Sequence, residues 1–328
     1  MEQFRPANGV YHPGKKAGAI HRKRLEAAVR RAASGSSLNL HFFGGRTFPA
    51  MTFVNLYAGG ASAWADSDRS SVDQALGAAM SDVGLNNMLA QYFGGTAPTT
   101  TMLPSVVLSG PCPATVGKDT VEGWVSAMHA AGQLPDAPLD TSVYCFMLPE
   151  GIILTDGPAS GAAAEGGADA EGGADAEGGL EGSEHDAADS LNGLGGYHGS
   201  VHAGPDTIYY AVGVYSDATN GINAFPGASW KNIVATFYHE LNEARTDPDV
   251  GDADMTPAGE AHLGWYSLRE GEIGDIPINL SGGDLSTVMV EIALADGSGD
   301  VPIQLMWSDD ARGPQGPVDH PLAPPNRP

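Results

Sequence analysis

Residues 230–250 read WKNIVATFYHELNEARTDPDV and carry the most informative pattern in the chain. The apolar residues of this stretch recur at helical spacing: Ile233, Val234, Phe237, Leu241 and Ala244. This spacing predicts a helix from about Trp230 to Arg245. On such a helix, side chains four residues apart share a face, so His239 and Glu243 point the same way. That is the geometry that metal ligands need.

The polar residues of the predicted helix form an HExxE motif. In HExxH enzymes the two histidines bind zinc, and the glutamate between them deprotonates the attacking water. Here Glu240 holds the place of that glutamate, and Glu243 replaces the second histidine. We therefore predict His239 and Glu243 as metal ligands and Glu240 as the general base.

The third ligand of such a site has two candidates. In the longer pattern HExxHxxGxxH, or in its aspartate-ending form, a ligand follows ten residues after the first histidine, which here is Asp249. Thr246 stands where that pattern has its turn glycine, and the helix is expected to end before Pro248, which offers Asp247 instead. The competing interpretation is an amphipathic helix whose histidine, glutamates, asparagine and arginine face water.

The apolar patterns outside this helix predict a mixed α+β domain with a central sheet. Strands are expected at LNLHFF (38–43), TFVNLYA (52–58), SVVLS (105–109), SVYCFMLPEGIIL, DTIYYAVGVY (206–215), TVMVEIAL and PIQLMW. Helices are expected near 70–93 and 119–132. Strands and helices do not alternate strictly, which favours a mixed arrangement over a doubly wound parallel sheet.

Composition divides the chain into one domain with three appendages. Residues 1–36 form a basic tail, 37–316 a single domain, and 317–328 a proline-rich tail for which disorder is predicted. An acidic Gly/Ala-rich insert at 157–190, which repeats the unit GGADAE, interrupts the domain. It has too few apolar residues to form a core, so we predict a disordered loop.

Two further sets of residues are candidates for function. His198 and His202 would point to the same side of a strand, where His198 could contact substrate or stabilise an oxyanion; the alternative is a histidine in a tight GYHG turn. The acidic residues Asp247, Asp249, Asp252 and Asp254 suit calcium, although the EF-hand pattern is not met.

Charge and motifs exclude several classes of function. With 40 acidic and 16 basic residues, a net charge of −24 argues against a nucleic-acid-binding protein. No apolar run is long enough to span a membrane, and the first 30 residues lack the apolar core of a secretion signal. Motifs for dinucleotide, P-loop or serine-hydrolase chemistry are missing. Cys112 and Cys145 permit one disulfide, but a buried free thiol at Cys145 fits its apolar run equally well.

Several segments together resemble the EXORDIUM, or phosphate-induced protein, family, and its bacterial members in particular. They are GYHGSVH (196–202), IYYAVGVY, HELNEARTDP, GWYSLREGEIGD (264–275) and IQLMWSDD. The resemblance covers most of residues 37–312, with its best segments at 239–248 and 272–275. It implies a zincin-like fold around the HExxE helix, and it adds Glu272 and Asp275 as alternative ligands or as partners of a ligating histidine. The competing interpretation of these two residues is a polar turn.

The sequence therefore supports two hypotheses. The first is a metal-dependent hydrolase, most simply a peptidase, that uses Zn²⁺, with Mn²⁺ or iron also suited to one imidazole and two carboxylates. The second is a non-catalytic EXORDIUM-like protein that binds a partner or a wall polymer and holds a structural zinc or calcium ion. The resemblance implies an extracellular location, whereas the first 30 residues favour the cytoplasm or non-classical export.

Overall fold

The computed structural model describes residues 38–159, 188–254 and 262–325. The predicted basic tail at 1–36 lies outside the described residues, and so does most of the acidic insert, at 160–187.

Fourteen strands and five α-helices are assigned within the described ranges. The strands are β1 (His41–Phe42), β2 (Ala50–Tyr57), β3 (Thr99–Met102), β4 (Val106–Val107), β5 (Thr115–Val116), β6 (Ser142–Leu148), β7 (Ile153–Leu154), β8 (Gly196–Ala203), β9 (Asp206–Val214), β10 (Trp265–Tyr266), β11 (Met289–Ala293), β12 (Asp300–Gln304), β13 (Met306–Ser308) and β14 (Gly313–Gln315). The helices are α1 (Asp66–Ser81), α2 (Val83–Leu89), α3 (Lys118–Ala130), α4 (Ser229–Thr246) and α5 (Asp275–Leu280).

The main sheet is mixed and has six strands. Its order is β3, β2, β6, β9 and β8, with β4 also pairing with β2. β2, β3, β4, β6 and β9 run parallel to their neighbours, while β8 and β9 form an antiparallel hairpin at one edge. Smaller two-stranded sheets surround it. Helices combined with mixed sheets are what the predicted α+β class describes.

Apolar side chains fill both faces of the main sheet, because successive residues of a strand point in opposite directions. On β6, Val143, Cys145 and Met147 join one core, while Tyr144, Phe146 and Leu148 join the other. Helices α1, α2 and α4 cover the first face, and α3 covers the second. A strand that is buried on both faces is expected to be apolar throughout, as SVYCFML is.

Helix α4 lies inside the protein on all sides. Every residue from Asn232 to Thr246 is buried, so the interpretation of its polar face as a surface exposed to water is wrong. The helix lies close to the sheet because β9 has a glycine beneath it: a Cβ at Gly213 would come within 2.7 Å of the Phe237 ring. At the C-terminal end, Asp247 leaves the helical conformation before Pro248, as a residue that precedes proline does.

Several predicted elements differ from the observed ones. The run SVYCFMLPEGIIL contains two strands, β6 and β7, and PIQLMW is divided between β12 and β13. The helical pattern at 70–93 is two helices, because Asp82 takes an extended conformation and its side chain caps α2 at the amide of Leu85. Of LNLHFF, only His41 and Phe42 pair, and they pair with β10 outside the main sheet. The strand expected at SVVLS is reduced to Val106 and Val107.

The proline-rich tail is ordered where it is described. The amide of Val318 donates to the Gly84 carbonyl and that of Leu322 to the Asn87 carbonyl, so the tail lies along α2. The predicted disorder is wrong for residues 317–325, because backbone bonds to α2 hold a segment whose prolines exclude it from regular structure.

Two predictions from the sequence concern the cysteines and membrane-spanning helices. Both cysteines are free, with Cys145 buried, which agrees with the thiol alternative. Within the described ranges, no helix combines the length and the apolar character needed to cross a bilayer.

The contact between α4 and β9 should control stability. We expect Phe237→Ala to lower the free energy of unfolding by about 3–5 kcal/mol, because a fully buried ring leaves a cavity against Gly213. Urea denaturation measures the change. The matched control is Leu191→Ala at an exposed site, which should shift stability by less than about 0.5 kcal/mol. Equal losses in the two variants would contradict the assigned role of this contact.

Candidate metal centre

Six ionisable side chains converge at the edge of the sheet where β8 lies. Helix α4 supplies His239, Glu240 and Glu243, strand β8 supplies His198, and the segment entering α5 supplies Glu272 and Asp275. None of the six is more than 2% exposed. The sequence predicted all six as catalytic residues, ligands or partners of ligands, and the structure brings them together.

These side chains form two groups that could hold a metal ion. The first group is His239, Glu243 and Asp275, and the second is His198, Glu243 and Glu272. Within each group, one ligand atom per residue lies within 4.8 Å of the others. Glu243 belongs to both groups.

The imidazole of His239 is oriented by a glutamine on β12. The Gln304 amide nitrogen donates to the Gly274 carbonyl at 2.7 Å, which leaves its Oε1 facing His239 Nδ1 at 2.9 Å. A carbonyl oxygen only accepts, so this network assigns the proton to Nδ1. The lone pair of the neutral ring is then on Nε2, 3.0 Å from Glu243 Oε2. Ligating histidines usually have such a partner on the nitrogen away from the metal.

A glycine in the EIGD segment makes room for this ring. A Cβ at Gly274 would lie 2.4 Å from His239 Nδ1. Any other residue would therefore displace the imidazole or the loop. The glycine of EIGD thus has a steric role at the site, whereas Glu272 and Asp275 on either side of it supply carboxylates.

Glu243 is fixed by backbone amides. Its Oε1 accepts from the N–H groups of Gly274 and Asp275, both at 3.1 Å, where α5 begins and N–H groups have no partners within the helix. Because Oε1 is engaged there, Oε2 faces the two imidazoles, at 3.0 Å from His239 Nε2 and 3.9 Å from His198 Nδ1.

His198 is also oriented by a backbone group. It lies on β8 opposite Ala211, so the alternative of a tight GYHG turn is wrong. Its Nε2 lies 3.2 Å from the backbone carbonyl of Asp247, which assigns the proton to Nε2. Nδ1 then faces Glu240 Oε2 at 3.5 Å, and Glu272 Oε1 is 3.7 Å from Nε2.

The two candidates for the third ligand lie in neither group. Asp247 is buried, and its Oδ1 accepts from the amide of Gly264 at 2.8 Å. Asp249 lies nearer the surface, with Oδ2 3.8 Å from Arg46 Nε, and burial raises the pKa of its carboxyl. Among the described residues, the groups that could hold a metal ion contain Asp275 or Glu272, and neither Asp249 nor Asp247.

Three aspartates of the predicted calcium cluster, Asp247, Asp249 and Asp252, have different partners, and the side chain of Asp254 lies outside the described part of the chain. Asp252 binds His202 Nε2 at 2.9 Å and lies 3.9 Å from His262 Nδ1. Asp247 and Asp249 are engaged as described above, and no group of potential ligands found in the described chain combines these aspartates.

Four carboxyl groups are concentrated at the centre. Four carboxylates, those of Glu240, Glu243, Glu272 and Asp275, lie in the interior, where charges are costly unless they are paired or bind a metal. Their field reaches the core: burial, and then the charge of Glu240, raise the pKa of the Cys145 thiol well above its usual value. A bound cation would offset this charge.

Comparison with protein-family models, with curated proteins and with solved structures finds no match to the chain. The resemblance to the EXORDIUM family therefore stays a prediction.

Sequence reasoning missed Gln304 and the role of Gly274. The available signal for Gln304 was a single amide in the apolar run PIQLMW, since a polar residue in a buried strand needs a partner. Its partner, His239, is 65 residues away in the chain, and no local pattern shows that distance.

Removing the acceptor of His239 should weaken metal binding. We expect Gln304→Leu to lower affinity for Zn²⁺ about 10–100-fold, because the imidazole loses the partner that sets its tautomer and orientation. Competition with a chromogenic chelator measures this affinity. Gln133→Leu, at an exposed position, is the control and should leave the affinity unchanged. Wild-type affinity in a folded Gln304→Leu protein would show that the contact does not support a ligand.

Proposed function

We propose that the protein is a zincin-like metal-dependent hydrolase, and most simply a peptidase. The observation that carries the proposal is the orientation of His239. Its protonated nitrogen is engaged by Gln304, and its lone pair faces Glu243 Oε2 at 3.0 Å, one helical turn away. Glu240, the next residue on α4, lies beside both imidazoles.

The chemistry of the donor set supports a transition-metal ion. Imidazole nitrogen together with carboxylate oxygen suits Zn²⁺, Mn²⁺ or Fe²⁺, whereas Ca²⁺ is bound by oxygen ligands. His239, Glu243 and Asp275 would hold the ion. This set has one imidazole and two carboxylates, as the HExxE motif predicted, with Asp275 as the third ligand.

An ion at this place would act as a Lewis acid and polarise a substrate carbonyl. Glu240 is the candidate general base. Its Oε2 lies 3.5 Å from His198 Nδ1 and its Oε1 3.9 Å from His239 Nε2, so the carboxylate is positioned at the ligands. It would take a proton from the attacking water and pass it to the leaving amine.

The second candidate is a non-catalytic binding protein with a structural ion. Burial favours it, because none of the six side chains is more than 2% exposed, and a catalytic centre must admit substrate and water. Structural metal sites are closed, whereas catalytic sites keep an open position. The two candidates therefore differ in hydrolysis and not in metal content.

Substitution of the general base separates the two candidates. We expect Glu240→Gln to retain its metal and to lower kcat/KM about 10²–10⁴-fold, since the amide cannot take up a proton. His239→Ala should lose metal as well as activity. The measurements are metal content by mass spectrometry of protein purified without chelators, and hydrolysis of a fluorogenic peptide library.

Glu150→Gln is the control, because Glu150 is exposed and should be needed neither for metal binding nor for hydrolysis. Metal in the wild type without hydrolysis of any peptide would favour the structural ion. Full activity in Glu240→Gln would exclude the assigned base, and a wild type free of metal would exclude both candidates.

A further inference from the structure

We propose that the centre binds two divalent cations, one on His239, Glu243 and Asp275 and the other on His198, Glu243 and Glu272, with Glu243 shared between them. This inference rests on the proposed function, because the first ion is the one assigned there. It adds a second ion, and it makes His198 and Glu272 ligands.

The shared ligand is a single carboxylate oxygen. Two backbone amides hold Glu243 Oε1, so only Oε2 faces the imidazoles. That oxygen lies 3.0 Å from His239 Nε2 and 3.9 Å from His198 Nδ1. A carboxylate oxygen has two lone pairs and can therefore contact two cations.

The two histidines near that oxygen have similar hydrogen bonds. Each gives its N–H to a carbonyl oxygen, His239 to the side chain of Gln304 and His198 to the backbone of Asp247. The lone-pair nitrogen of His239 then faces Glu243 Oε2 at 3.0 Å. That of His198 lies between two carboxylates, 3.5 Å from Glu240 Oε2 and 3.9 Å from Glu243 Oε2, and Glu272 Oε1 lies 3.7 Å from the other ring nitrogen. One imidazole oriented in this way fits one ion, and two imidazoles from different elements, α4 and β8, fit a pair.

Charge also favours a pair. One divalent ion would offset two of the four buried carboxylates, whereas two divalent ions would offset all four. Three of these carboxylates surround His198: Glu240 at 3.5 Å, Glu243 at 3.9 Å and Glu272 at 3.7 Å. A second divalent cation beside these three carboxylates would reduce the cost of burying them together.

A pair of ions would widen the range of substrates. Two-metal sites stabilise both the attacking and the leaving oxygen in phosphoester hydrolysis and also occur in aminopeptidases. Phosphate monoesters and peptides with a free amino terminus therefore belong in the activity screen. The chemical class of ion stays Zn²⁺, Mn²⁺ or Fe²⁺, since each group contains one imidazole.

Metal stoichiometry of the full-length protein tests the inference without an activity assay. The protein is equilibrated with Mn²⁺, freed of unbound ion by gel filtration, and analysed for metal per chain. We expect two ions in the wild type and one in both His198→Gln and Glu272→Gln. Electron paramagnetic resonance should show spin-coupled Mn²⁺ in the wild type and uncoupled Mn²⁺ in these variants.

Matched controls lie close to each substituted ligand. His202→Gln changes a half-exposed histidine on the same strand as His198. Glu270→Gln changes a carboxylate that lies two residues before Glu272 and pairs with Arg269. Both should keep two ions. Circular dichroism checks that the variants fold, and the wild-type stoichiometry decides the question even if a variant does not.

The possible outcomes separate this inference from the proposed function. Two ions in the wild type, falling to one in the variants, would establish the pair. One ion that is unaffected by Glu272→Gln would overturn the second site and leave the mononuclear hydrolase. No bound ion would overturn both.

Discussion

Burial of the polar face of α4 is the constraint on which the rest of the structure depends. A helix that carries a histidine and two glutamates into the interior needs partners for them, because buried polar groups without partners are costly. The β8–β9 hairpin, the turn before α5 and the end of β12 all meet at this face and bring donors, acceptors and carboxylates. The elements packed around α4 therefore supply the partners that its buried polar side chains need.

Much of that environment is backbone. The N–H groups of Gly274 and Asp275 hold Glu243, the carbonyl of Asp247 holds His198, and the carbonyl of Gly274 fixes Gln304. Main-chain groups do not change rotamer, so they position side chains more rigidly than side-chain partners can. Side chains held in this way are preorganised, so an ion that bound them would lose little free energy to ordering the site.

The helix and its motif could be predicted because their signal is local. Spacing of four residues placed His239 and Glu243 together, and the apolar runs of β6 and β9 identified two strands of the main sheet. Local spacing predicted Asp247 or Asp249 as the third ligand, whereas the groups of potential ligands among the described residues contain Asp275 or Glu272. The resemblance pointed to Asp275, but no pattern within α4 did. The contact between Gln304 and His239 depends on how elements that are distant in sequence pack together. The periodicity of one segment contains no information about that packing.

The distance in sequence between the ligands and their supports has a consequence for biosynthesis. His239, Glu240 and Glu243 leave the ribosome together, but the EIGD turn follows about 30 residues later and Gln304 is separated from His239 by 65 residues. Until that last strand has been made, the histidine has no partner to set its tautomer, and Glu243 has no amides to fix it. The nascent chain thus carries its motif for some time before the candidate site is assembled. Under the proposed function, metal capture would be a late event that requires the C-terminal strands to be complete.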